Sequence, residues 1–115
     1  MGRQDNFISR YTSMYLVVYF DIPVTDREKI KAAREFRSFL LEEGFSMDQY
    51  SVYYRFCSND RERARHSQAV KNALPPEGKV TILTLTTRQF EEAVRYIGRE
   101  RQENSNASSA ESLFF

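Results

Sequence analysis

Cysteine and histidine occur once each in these 115 residues, as Cys57 and His66, and tryptophan is absent. A lone cysteine excludes an intrachain disulfide and any cysteine-based zinc site, and a lone histidine excludes a histidine-rich metal cluster. Metal chemistry would have to rest on carboxylates. The four glycines form no phosphate-cradling loop, which argues against nucleotide-driven chemistry. The longest apolar run, Met14 to Phe20, falls far short of the roughly 20 residues a spanning helix needs, and no charged segment with a cleavage site precedes it. A soluble, cytoplasmic, non-secreted protein without a membrane partner is expected. Net charge is only +1, so the chain has no overall electrostatic grip on nucleic acid and any such binding must come from local patches.

What is present is globular. The chain is 41% hydrophobic, long enough for one core but too short for two. Residues 1–13 are polar and aperiodic and read as a leading arm. Tyr15 to Phe20 is a β-branched and aromatic run, the pattern of a strand buried on both faces, which Asp21-Ile22-Pro23 ends. Thr25 and Glu28 have the spacing of a capping box, and Ile30, Ala33, Phe36, Leu40 and Leu41 recur at helical spacing, so a helix is predicted over 26–43, stopped by Gly44. From Phe45 to Cys57 the period is two, as in a strand pair broken near Tyr50-Ser51. A second, shorter helix starts at an Asn59/Glu62 cap and stops at Pro75-Pro76. Lys79 to Thr86 is apolar on both faces and reads as a central strand. Residues 87–98 fit either a helical stripe or one helical turn followed by a short strand. Residues 99–110 read as a linker, before an apolar end, Leu113-Phe114-Phe115.

The order β, α, β, β, α, β is the α+β, ferredoxin-like arrangement, an antiparallel sheet with both helices on one face. The domain is placed at 14–98, and the tail at 111–115 is expected to dock as an added strand on an open sheet edge. Asp21 is the most informative position, because a carboxylate at the end of an apolar strand is either a turn or cap residue or a ligand for a hard cation such as Mg²⁺. Arg55, Arg61, Arg63, Arg65 and Lys71 face only Asp60 and Glu62 in opposition, a cluster that suits phosphate contact or a solvated helix face. Arg37 sits at the edge of the first helix's apolar stripe, where it either snorkels or meets a buried acceptor. His66 has no orienting carboxylate recognisable by spacing, and Cys57 reads as a small apolar residue.

Tyr15-Leu16-Val17-Val18-Tyr19-Phe20-Asp21-Ile22-Pro23, Phe39-Leu40-Leu41-Glu42-Glu43-Gly44-Phe45, Gln49-Tyr50-Ser51-Val52-Tyr53, Pro75-Pro76-Glu77-Gly78-Lys79-Val80 and Thr87-Arg88-Gln89-Phe90 stand in an order and spacing that resembles the CRISPR-associated protein two family. The resemblance runs from Met14 to about Gly98, and Tyr53 departs from it in standing where Phe is frequent. It implies a homodimer with sheets face to face and the two Asp21 side chains meeting at the two-fold axis, sharing Mg²⁺. It also implies a subunit of spacer acquisition that supports a double-stranded DNA prespacer between integrase dimers. A metal-dependent endoribonuclease activity on single-stranded RNA is implied as a separable role. A toxin-like ribonuclease of the virulence-associated protein D type, which shares the fold, is the alternative.

Overall fold

The computed structural model describes residues 12–103. The first strand, β1 (Met14–Asp21), begins at a fully buried Met14 and runs down the middle of a four-stranded antiparallel sheet. Helix α1 (Arg27–Glu42), strands β2 (Ser46–Gln49) and β3 (Val52–Cys57), helix α2 (Asp60–Asn72) and strand β4 (Lys79–Thr86) follow. The sheet order is β2-β3-β1-β4, so each helix crosses between two strands that flank a third, the ferredoxin-like topology expected from the sequence. The chain continues through a single helical turn, α3 (Thr87–Glu91), into a separate hairpin of β5 (Arg95–Ile97) and β6 (Glu100–Gln102). Residues 87–98 thus take the second of their two readings, a turn of helix and then a short strand.

Alternation along β1 defines the two sides of the sheet. Met14, Leu16, Val18 and Phe20 are buried beneath the helices with Phe36 and Leu40 of α1, Val70 of α2, and Phe45, Tyr53 and Cys57. Each large apolar side chain so buried contributes roughly 1.5–3 kcal/mol, the source of the helices' docking energy. Tyr15, Val17, Tyr19 and Asp21 point to the other side, in register with Leu85, Leu83, Thr81 and Lys79 of β4. That side carries neither α1 nor α2. Part of it is covered by Phe90 of α3, whose ring stacks on Tyr15 at 4.0 Å, while Tyr19, Phe56 and Leu83 remain exposed.

Four details differ from the sequence expectations. The α1 N-cap is Asp26, whose carboxylate accepts from the Lys29 amide at 2.9 Å, so the cap lies one residue beyond Thr25 and its Glu28 partner is not used. Asp and Thr are both good caps, and spacing alone does not choose between neighbours. Among the described residues strand β4 is at the edge, paired only with β1, although it is apolar on both faces; two-faced apolarity reports what the faces meet, not how many strands flank the backbone. Residues 100–102, placed in the linker, pair with β5 across Gly98 at φ +64. Finally, β2 and β3 slip register between Met47 and Gln49, a bulge that leaves Asp48 unopposed and lets it accept from Arg95 Nε at 2.7 Å. That half-buried pair, with the Arg95 guanidinium 5.4 Å from the Phe90 ring centre, straps β5 to the sheet. The expected docking tail, Leu113-Phe114-Phe115, and residues 1–11 of the arm at 1–13 lie outside the described residues.

Candidate functional site

Asp21 is placed by three constraints. Alternation along β1 turns its side chain to the side of the sheet away from α1 and α2, where it is exposed, and the register sets it opposite Lys79. Ile22-Pro23 then stops the ladder. Behind it, Gly78 adopts φ +103, and a Cβ there would stand 2.8 Å from the Asp21 carbonyl oxygen and 2.9 Å from Ile22 Cα. Only glycine fits both the conformation and the gap. On its other flank the Phe20 amide donates to the Ser51 carbonyl at 3.1 Å, which holds the β2–β3 turn against the same end of β1. Just past this end, a cleft of about 150 Å³ lies between Ile22-Pro23, the start of α1 and Pro76-Glu77. Lys29 pairs there with both Asp26 and Glu77, and Glu28 also lines the cleft, so its carboxylates outnumber its one ammonium.

Among the described residues no three Asp, Glu, His or Cys side chains gather into a metal-holding group. One chain therefore offers a hard cation a single carboxylate at this position, which fits a site completed by a second copy or by substrate phosphate rather than a self-contained one.

The basic cluster divides on folding. Arg55 is spent internally, its Nε donating to the Glu43 carbonyl at 3.0 Å and Nη1 to the Phe56 carbonyl at 2.7 Å, so it caps the end of α1 instead of facing solvent. Arg63 pairs with Asp60 at 2.7 Å. Arg61 and Arg65, one helical turn apart, and Lys71 remain exposed on α2. Because α2 packs on the other side of the sheet from the Asp21 side chain, these cations and Asp21 occupy opposite layers. Sequence reading overlooked a companion row on α1, where Arg27, Lys31 and Arg34 are exposed at i, i+4 and i+7. Charge periodicity, applied as apolar periodicity was, would have found it.

His66 does have an orienting carboxylate. Glu43, at the C-cap of α1, accepts from its Nδ1–H at 2.6 Å. Nε2 is buried without a partner among the described residues, so the imidazole ties the two helices together and faces no nucleophile. Cys57 is fully buried, and burial pushes its thiol pKa up despite the opposing field of Arg55. It is expected to resist alkylation at pH 8 in the folded protein and to react once unfolded, which mass spectrometry after iodoacetamide would read. Arg37 meets no buried acceptor among the described residues: its guanidinium lies over the Phe20 ring at the core edge and its Nε donates to the exposed Tyr50 carbonyl at 3.4 Å.

Comparison with known proteins agrees with this architecture. The family model described as CRISPR associated protein Cas2 matches residues 14–93. A protein of Paracidovorax avenae named CRISPR-associated endoribonuclease Cas2 is 41% identical over 93% of this chain and 99% of its own length. One of the same name from Flavobacterium psychrophilum is 36% identical over 93% of both chains. A solved structure described as a crystal structure of cas2 superposes with a TM-score of 0.55 over 80% of this chain and 94% of its own, at 18% identity, a likeness of fold alone. A strand-end aspartate on the sheet face away from α1 and α2 thus sits within a sequence match covering most of the domain, and the chain belongs to the Cas2 family of CRISPR-associated proteins.

Proposed function

We propose that this chain acts as a homodimeric subunit of CRISPR adaptation that binds double-stranded prespacer DNA along its backbone and bridges integrase dimers, and that the same dimer carries a metal-dependent endoribonuclease site at Asp21. The observation that carries the reading is the side of the sheet on which Asp21 stands. It carries neither α1 nor α2, exposes Tyr19, Phe56 and Leu83, and ends at β4, whose outer edge has no strand beside it among the described residues. Apolar surface and an open edge of this kind are what a second copy covers. Two-fold pairing through it would bring the two Asp21 carboxylates toward one axis and complete a Mg²⁺ site that a single chain only half supplies. A cation held there would supply charge neutralisation at a phosphodiester. The protein's own part is to fix the Asp21 backbone through Gly78 and the Phe20–Ser51 bond, so that the carboxylate arrives already oriented. The names borne by the relatives support RNA as the cleaved substrate, and family membership favours CRISPR adaptation over the toxin-like alternative.

DNA contact is assigned to the helix layer, where Arg27, Lys31, Arg34, Arg61 and Arg65 present exposed cations on two neighbouring helices. Such contacts read phosphate and not base, so binding is expected to be sequence-independent. Each lost phosphate contact should reduce the slope of log affinity against log salt by about 0.9 for a duplex. Replacing Arg61 and Arg65 by Ala is therefore expected to flatten the slope while leaving the dimer intact by light scattering. An unchanged slope would put the duplex on another surface. Incubation of labelled single-stranded RNA with the purified protein, with and without Mg²⁺, tests the nuclease half of the reading. Cleavage only with the metal supports it, and intact RNA under both conditions refutes it.

A further inference from the structure

Tyr50 is the most exposed large apolar side chain among the described residues, at 70%, in a tight turn where small polar residues are the rule. Its ring is nonetheless held. The Arg37 guanidinium carbon lies 4.0 Å from the ring centre, while Arg37 Nε reaches the Tyr50 carbonyl and the same guanidinium stands 5.4 Å from the Phe20 ring centre. Those contacts of Arg37 are one carbonyl and two aromatic rings, and among the described residues no carboxylate pairs with it. The turn is anchored to β1 by the Phe20–Ser51 bond, so ring and guanidinium stand at the Asp21 end of the sheet, with Arg37 on the helix-layer side toward which Phe20 points and the Asp21 side chain on the opposite side, so that a nucleic-acid strand reaching both must round this end.

We infer that Tyr50, backed by Arg37, is a stacking platform for one base of a single-stranded nucleic acid passing the Asp21 end of the sheet. The inference rests on the reading of Asp21 as a phosphodiester site and adds to it the feature that selects the form of the substrate. One face of the Tyr50 ring is occupied by the guanidinium and the rest is open to water, so an incoming base can stack without displacing a protein contact. Cation–π contact fixes the ring beforehand and reduces the ordering cost of binding. The Arg37 guanidinium, 4.0 Å from the ring centre, is close enough to meet a phosphate beside that base. Every base offers a π face, so the platform tolerates any sequence, but bases within a duplex are already stacked on one another and present none. Single strands or frayed ends bind here, while duplex DNA keeps to the cations of the helix layer.

The test uses the full-length protein in EDTA with a short single-stranded RNA carrying 2-aminopurine, whose fluorescence falls on stacking. Wild type and Tyr50→Phe are expected to bind and quench alike. Tyr50→Ala and Tyr50→Leu, the second keeping apolar bulk without a π face, are expected to lose the quench and about tenfold in affinity. Arg37→Gln should flatten the salt slope by about 0.7, the single-strand value for one phosphate. Affinity for duplex of the same sequence should not change in any variant. Unaltered quenching in Tyr50→Ala, or an equal loss on duplex, overturns the inference. A protein that quenches through Tyr50 yet never cleaves RNA would refute the nuclease reading and leave the platform standing. Cleavage that depends on Asp21 with binding indifferent to Tyr50 would refute the platform alone.

Discussion

Asp21→Asn is expected to lower RNA cleavage by about 10² or more while leaving the dimer and its grip on DNA unchanged. The substitution keeps the shape of the side chain and removes the charge. A hard cation contributes several kcal/mol of charge stabilisation at a phosphoryl centre, and each 1.36 kcal/mol is a factor of ten in rate, so loss of its carboxylate sets the size of the effect. The expected behaviour of the dimer is the more discriminating part. Two like charges brought toward one axis repel in the absence of metal, so the Asn variant should dimerise at least as tightly as wild type in EDTA. Cleavage rates alongside sedimentation in EDTA measure both. A variant that cleaves like wild type would remove Asp21 from the chemistry. One that no longer dimerises would make Asp21 a structural residue instead.

Gly78→Ala is expected to destabilise the fold by about 1–3 kcal/mol and to disturb the Asp21 site together with it. At φ +103 a side chain is strained whatever the space, and here the added carbon would stand 2.8 Å from the Asp21 carbonyl oxygen, a backbone atom that cannot swing aside. Gly98→Ala is the internal control. Gly98 also has positive φ, at +64, but a Cβ there meets nothing within 4 Å, so only the conformational part of the cost applies. The difference in melting temperature between the two variants isolates the clash behind Asp21; for a domain of this size 1 kcal/mol corresponds to roughly 4–8 °C. Equal melting temperatures would mean that the loop before β4 relaxes freely and does not position Asp21.

The order of elements and the core were legible because they rest on local periodicity. Ala33, Phe36 and Leu40 recur at helical spacing and are buried under the helix layer, whereas β1, read as buried on both faces from its continuous apolar run, buries only Met14, Leu16, Val18 and Phe20 and leaves Tyr19 exposed on the other side. The asparagine cap of α2 was legible for the same reason, with Asn59 accepting from the Glu62 amide at 2.9 Å. What escaped is non-local. Glu43 and His66 are 23 residues apart, and Asp48 and Arg95 are 47 apart, so no spacing rule joins them. Arg55 looked like a member of a basic surface because its neighbours in sequence are cationic, whereas its position on the helix-facing side of β3 turned it toward the end of α1. Strand β6 is built from Glu100, Arg101 and Gln102 and carries no apolar alternation; a turn at Gly98 and pairing with β5 make it a strand. Asp21 was legible as a charge at a strand exit, but the side of the sheet it faces and the glycine behind it required the packed structure.

Site-specific cross-linking measures directly whether two copies meet through the sheet side that carries Asp21, with the two Asp21 residues across one axis. In a Cys57→Ala background, which removes the sole native thiol, Asp21→Cys treated with a short bis-maleimide is expected to run as a covalent dimer. Arg65→Cys in the same background, on the outer side of the helix layer, is expected to remain monomeric on the denaturing gel. A protein that is dimeric in solution yet cross-links through position 65 and not through position 21 would contradict the account.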